Sequence, residues 1–340
     1  MDSLSQALLG SAVAVIATRG KMPRRAIVYG AIIATLPDLD VLQPFDNDVE
    51  TIVRHRTWSH SWIVHVFAAP VIAAALYRLD KTYRYLTWWL ATFLVLFTHA
   101  ALDAFTIYGT GLFWPLDRTP VMGGSIFIID PLYTLPLLVA LVMSWKSAQS
   151  KRAIRFMMSG LLLSCAYLGW GQLAQQHVEA RASTALQQQG LSYTKLIATP
   201  SPFNSVLWRI IALDDDQYHE GFYHFLENNS QPRLTSFPRN LVLKQQIPPG
   251  IGFQEFSRFN HDYYALSRRD HQVIASDLRM GIEPFYFFRF IFAEQEHTDE
   301  NFIPEFASIP IDEAGLFRWL GYRLLGRETG GLSEYLKNKG

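Results

Sequence analysis

Cysteine is almost missing from this chain: Cys165 is the single one among 340 residues. A disulfide framework and a four-cysteine zinc site are therefore excluded. Net charge is missing as well, with 30 basic residues against 30 acidic ones. That balance argues against a strongly basic nucleic-acid binder, so no nucleic-acid partner is expected, and against a highly acidic tail. Disorder does not fit a chain that is 14% aromatic. Internal repeats and low-complexity stretches are absent. The opening MDSLSQALLG lacks the basic residues of a cleavable signal peptide, so none is expected. Charge is also thin in one half, since residues 1–175 carry 24 of the 60 charged residues and residues 176–340 carry 36.

Long apolar runs fill the charge-poor half. Residues 156–174 run without a charged side chain, and residues 126–145 have only Asp130. Residues 86–107 are apolar apart from His99 and Asp103, and residues 62–77 apart from His65. Each approaches the length that spans a hydrocarbon core, roughly 20 residues. Two shorter runs, 4–18 and 26–36, come first. The expectation is a membrane all-α domain over residues 1–175 with about six hydrophobic helices, the first two short. Loops 19–25, 78–85 and 146–155 hold 11 Lys and Arg residues, against Arg54, Arg56 and Arg118 in the intervening loops. Basic loops stay on the cytoplasmic side. The reading is a multi-pass bacterial inner-membrane protein whose residues 176–340 lie outside the cytoplasm.

That second half reads as a soluble α+β domain with a mainly antiparallel sheet. Residues 176–190 predict a polar helix, and LSYTKLIA, VLWRIIAL and QYHEGFYHFL predict strands, with Asp214–Asp216 at a turn. A helix is expected over 253–269, a strand pair in HQVIASDLRM and PFYFFRFIFA, and an amphipathic helix over 312–326. His219, His224, His261, His271 and His297 show no metal-binding spacing.

Ionisable residues at membrane depth are functional candidates by default. Here they collect at one end of the segments: Asp38 and Asp40 in PDLD, His55 and His60 in RHRTWSHS, His99 and Asp103 at i and i+4, and Asp130 opening the fifth segment. His with Asp and no Cys suits a divalent ion, with zinc the first candidate. Each has a plainer alternative. PDLD can stop a helix, the histidines can belong to a loop, and His99/Asp103 can be an interhelical contact. Asp130 before Pro131 can be an N-cap, and His65 reads as a packing residue.

MDSLSQALLG, LPDLD, HRTWSHS, HAALDAFT and IIDPLYTLP together resemble the YdjM-like family, and TPSPFNSVLWRIIA resembles the region opening the soluble domain of its longer members. Members are bacterial inner-membrane proteins described as metal-dependent hydrolases, one branch being tied to LexA regulation. The family is more distantly similar to zinc-dependent phospholipases C, which set His and Asp around clustered zinc ions. The resemblance implies a metal set of Asp38, Asp40, His55, His60, His99 and Asp103. Gln6 stands where the family often has a histidine.

The reaction expected from these residues is phosphoester hydrolysis, on a lipid or lipid-linked substrate at the outer face. Asp38, His55, His60, His99, Asp103 and Asp130 are the metal candidates. Asp40 would orient water or act as general base, and Arg56 or Arg54 would pair with phosphate. Membrane lipids are the expected partners. The competing classes are a non-catalytic membrane scaffold that binds a partner and a transporter. A transporter would place ionisable groups through the full bilayer depth rather than at one end.

Overall fold

Proline and short polar side chains decide where the apolar runs become helices. Asp130 caps the sixth helix through the amides of Leu132 and Tyr133, and Pro131 takes its first position. This cuts the run at 126–145 down to Pro131–Lys146. Ser61 caps Trp62–Leu79 and Asp2 caps Ser3–Ala17 in the same way. The computed structural model describes all residues except 148–149, 228–230, 250, 295–301, 309, 311, 328 and 338–340, together with the side chain of Ile251.

The helices are α1 (Ser3–Ala17), α2 (Pro23–Thr35), α3 (Asp48–Arg54), α4 (Trp62–Leu79), α5 (Tyr85–Ala104), α6 (Pro131–Lys146) and α7 (Ser150–Gln188). Among the described residues, α4, α5 and α7 are long and apolar enough to cross a membrane. The expectation of six hydrophobic helices narrows accordingly. α1 and α6 are apolar but shorter, with 15 and 16 residues, and α2 has 13. At about 1.5 Å per residue these helices reach only about 20–24 Å, short of a hydrocarbon core of about 30 Å. The run 156–174 and the polar stretch after it form one continuous 39-residue helix.

The chain divides into two compact units. The first comprises residues 1–43, 55–172 and 202–204. Its core joins Leu8, Ala12 and Val15 of α1 to Ile27, Ile33 and Ala34 of α2, with Trp88, Val95 and Leu96 of α5 and Leu137 and Ala140 of α6. α1 and α2 approach each other through glycine. A Cβ on Gly10 would lie 2.4 Å from Ala34 Cβ, and one on Gly30 would lie 2.4 Å from the Gly10 carbonyl oxygen. Small residues allow such backbone contact between membrane helices.

The second unit comprises residues 44–54, 173–201 and 205–340. Its first sheet is an antiparallel meander of β1 (Lys195–Pro200), β2 (Leu207–Leu213), β3 (Gln217–His224) and β4 (Leu234–Pro238). Register pairs Ile197 with Ile211 and Ile211 with Glu220. Ala174, Val178, Ala182 and Ala185 of α7, spaced three and four apart, pack on Trp208, Ile210 and Ala212. The helix expected over 253–269 ends early. α8 covers Ile251–Phe259, and Tyr264–Arg269 form β5. His261 and Asp262 have φ of 53° and 64°, left-handed values that stop a helix. β5 then enters a second antiparallel sheet with β6 (Gln272–Asp277), β9 (Arg289–Glu294) and β10 (Glu305–Phe306), in the order β10-β9-β6-β5, while β7 (Gly281–Ile282) and β8 (Phe285–Tyr286) pair separately. Two helices follow, α9 (Glu313–Leu324) and α10 (Leu332–Lys337).

Candidate metal centre

The proline in PDLD starts a turn of 3-10 helix over Pro37–Leu42 directly after α2. At about three residues per turn, residues two apart point to different sides. Asp38 and Asp40 therefore part company. Asp38 Oδ1 lies 3.3 Å from His60 Nε2 and 3.5 Å from His99 Nε2. Asp40 instead faces the loop, with Oδ1 2.7 Å from His55 Nδ1 and Oδ2 accepting from the Arg56 amide at 2.9 Å.

His60 sits on a second short turn, Trp58–His60, just ahead of α4. His99 and Asp103 are one helical turn apart on α5, so Nε2 of the first lies 3.3 Å from Oδ2 of the second. Asp103 Oδ2 is also 3.2 Å from His60 Nε2, and the two imidazole Nε2 atoms are 3.1 Å apart. Asp38, His60, His99 and Asp103 thus offer four donor atoms that all lie within 4.8 Å of one another. His60, His99 and Asp103 are buried, and the Asp38 side chain is 19% exposed, which gives the group its open side.

Two observations test whether a cation fits. A tetrahedral ion with ligands at about 2.0–2.1 Å requires donors roughly 3.3–3.4 Å apart. Five of the six separations here fall between 3.1 and 3.5 Å. Moreover, Asp103 Oδ2 is buried, points into the group and, among the described residues, accepts no hydrogen bond of good geometry. A buried carboxylate oxygen in that state is costly unless a cation meets it. Burial pushes the Asp38 carboxyl up, but the contacts with His60 and His99 outweigh it and hold Asp38 well below the usual carboxylate range.

The surrounding bonds set the tautomer of His60. Ser59 Oγ lies 2.5 Å from Asp40 Oδ2 and 2.9 Å from His60 Nδ1. Burial raises the Asp40 carboxyl, yet the contacts with His55, Ser59 and the Arg56 amide together outweigh it and keep Asp40 below its ordinary value. Asp40 is thus an acceptor, and the single Ser59 proton goes to it. His60 Nδ1 must then donate to Ser59, which leaves the Nε2 lone pair facing Asp38, His99 and Asp103. His65 supports the same turn, its Nε2–H donating to the Ser59 carbonyl at 2.8 Å. Ser59→Ala is expected to weaken metal binding about 10–100-fold, the usual cost of losing such a supporting bond. Ser59→Thr, which keeps the hydroxyl, should stay near wild type. A chelator-competition titration measures both, and equal affinity for Ala and wild type would remove Ser59 from this role.

The other expected site residues are placed differently. His55 pairs with Asp40 rather than joining the four, its ring 6.0 Å from that of His60. Asp130 is occupied as the α6 cap and also accepts from Tyr167 Oη at 2.8 Å, and it stands outside the group. Arg56 is buried and turned inward: Nη1 is 3.2 Å from Asp103 Oδ1, and the guanidinium stacks over Tyr108. It balances Asp103 rather than facing outward to a phosphate. The Met1 amino group is also paired with Asp103 Oδ1. Arg54 belongs to the second unit and pairs with Glu50 at 3.4 Å. Gln6 is buried, and its Nε2 donates to the His99 carbonyl at 3.2 Å. His219 is held by Ser236 and Ser192 in the second unit, and His297 lies outside the described residues. Spacing alone did not single out Ser59, although it directly precedes a candidate ligand.

Residues 1–178 match the family model described as YdjM inner membrane protein. Over 177 residues, 49% of this chain and 53% of the relative, the chain is 30% identical to the uncharacterized protein YfhP of Bacillus subtilis. Over 94 residues, 27% of this chain and 54% of the relative, it is 32% identical to the inner membrane protein YbcI of Escherichia coli. The chain thus spans about half the length of the curated relatives it matches. No solved structure matches it.

Proposed function

We propose that this chain, which belongs to the YdjM inner membrane protein family, is a membrane-bound, metal-dependent hydrolase acting on a phosphoester. The observation that carries this reading is the convergence of Asp38, His60, His99 and Asp103 at separations suited to one divalent ion, zinc first among them. Such an ion supplies Lewis-acid polarisation of a phosphoryl oxygen and makes water more acidic. The chain's own residues supply the rest. Ser59 and Asp40 hold the His60 ring, and Arg56 neutralises the outer oxygen of Asp103. Asp38 stands at the open side, where a substrate would enter. His55 borders this set, its Nδ1 bound to Asp40 and its side chain 23% exposed.

The reading is tested by phosphoester hydrolysis in detergent before and after chelation. Activity should vanish on chelation, return with one of several offered divalent ions, and be missing from Asp103→Asn under all of them. Turnover that survives chelation, or an active Asp103→Asn, would sink it.

Orientation belongs to the same proposal. The basic loops contact one another at one end of the first unit: Arg24 Nε donates to the Trp145 carbonyl and Lys21 Nζ to that of Thr82. The four candidate ligands lie at the opposite helix ends. With basic loops on the cytoplasmic side, the site would lie at the outer face, within reach of a lipid or lipid-linked phosphoester, and the second unit would lie outside the cytoplasm. A C-terminal alkaline phosphatase fusion should be active and a cytosolic fluorescent fusion dark. The reverse pattern would move the site to the cytoplasmic face.

A further inference from the structure

At the end of the first unit away from Asp38 lies a cavity of about 570 Å³ between the start of α2, the end of α4 and the end of α6. We propose that it holds the phosphate headgroup of an anionic phospholipid. Arg24, Arg25 and Lys81 line it, against one carboxylate, Asp80. Three cations less one anion leave a charge of about +2.

The two guanidiniums are anchored without being saturated. Arg25 Nη1 is bound to Asp80 Oδ2 at 3.1 Å and Thr82 Oγ1 at 2.6 Å. Asp80 is itself fixed by Tyr29 Oη at 3.1 Å and the Thr82 amide at 2.7 Å. Arg24 is held through Nε to the Trp145 carbonyl at 3.0 Å. Nη2 of Arg25 and both Nη atoms of Arg24 have no hydrogen-bond acceptor among the described residues. Lys81 Nζ rests 3.7 Å above the Tyr77 ring. These are oriented donors with open edges, the arrangement that favours a multivalent oxyanion such as phosphate.

The same cavity has an apolar flank. Val28 and Leu79 line it beside Trp145, and all three are exposed, Leu79 to 84%. A free phosphate has no use for that flank, whereas an amphiphile does. α4, a candidate span, ends at Leu79, so the cavity sits where hydrocarbon gives way to headgroups. Basic pockets between membrane helices are recognised lipid sites. The proposal stands apart from the hydrolase chemistry, because none of Asp38, His60, His99 and Asp103 lines this cavity.

The test counts phosphatidylglycerol retained by the full chain in native mass spectrometry. The protein is taken from nanodiscs of phosphatidylcholine containing a minor fraction of phosphatidylglycerol. Wild type should retain phosphatidylglycerol selectively. Arg24→Gln combined with Lys81→Gln removes two exposed charges that pair with no carboxylate among the described residues, and should weaken retention roughly 30-fold. Lys81→Arg keeps the charge and should retain the lipid, which separates lost binding from lost folding. Equal retention by wild type and the double variant would overturn the proposal. So would thermal protection by inorganic phosphate alone that equals protection by phosphatidylglycerol and is lost in the same variant, since that would assign the cavity to a soluble phosphate.

Discussion

Asp103→Asn should purify with essentially no bound divalent metal where wild type carries it. The substitution keeps size and shape but removes the charge from the oxygen that faces His60 and His99 at 3.2 and 3.3 Å. Losing a supporting residue of a metal ligand costs about 10–100-fold in affinity, and losing a charged ligand should exceed that range. Asp103 also pairs with buried Arg56 at 3.2 Å, and breaking a buried pair costs about 3–5 kcal/mol, so this variant should melt earlier as well. Asp38→Asn separates the two effects. Asp38 contacts the histidines and, among the described residues, pairs with no arginine, so this variant should lose metal with a smaller change in melting. Bound metal per chain, measured after matched purification in detergent, decides the matter. If the group is only an interhelical contact, Asp38→Asn should leave the melting temperature nearly unchanged, because such hydrogen bonds average about 0.6 kcal/mol in membranes. Equal occupancy in variant and wild type, or none in wild type, would leave a partner-binding scaffold as the better account.

Gly30→Val is expected to collapse the first unit rather than merely disturb its chemistry. A Cβ at residue 30 would stand 2.4 Å from the Gly10 carbonyl oxygen and 2.7 Å from Ala14 Cβ. Backbone cannot yield as a flexible side chain can, so α1 and α2 must separate. Overpacking of this kind costs about 1–3 kcal/mol in ordinary cores, and the upper end or beyond is expected here. α2 leads straight into the turn that carries Asp38, while α1 carries Gln6 against the His99 carbonyl. Metal retention should therefore fall together with the melting temperature in detergent. A Gly30→Val protein that melts with wild type and holds metal normally would show that this helix contact does not position the site.

Much of this molecule can be read from residue order. Apolar runs mark the helices of the first unit, because hydrophobic length is a one-dimensional property. The i, i+4 spacing puts His99 and Asp103 on one helix face, because an α-helix repeats every 3.6 residues. Apolar and aromatic runs with an Asp-rich turn between them locate β2 and β3 for the same kind of local reason. Helix lengths were less legible. The 126–145 run loses its first five residues to the Asp130 cap, and the polar helix expected after residue 175 is the continuation of α7. The region 253–269 reads as helix, but left-handed His261 and Asp262 break it and β6 captures the remainder as β5.

Only the tertiary structure decided the division of labour among the polar residues. PDLD and RHRTWSHS each offered two equivalent-looking candidates. The 3-10 turn sends Asp38 to the histidine pair and Asp40 to His55 and Ser59, and the loop sends His60 inward while His55 stays at the edge. Arg56 reads in sequence as a phosphate contact but is buried against Asp103. The reason is that a donor set is defined by distances under 4.8 Å between residues up to 65 positions apart, as Asp38 and Asp103 are. Local periodicity determines which face a side chain occupies. Which faces meet depends on how closely helices such as α1 and α2 can approach, and that is a property of packing.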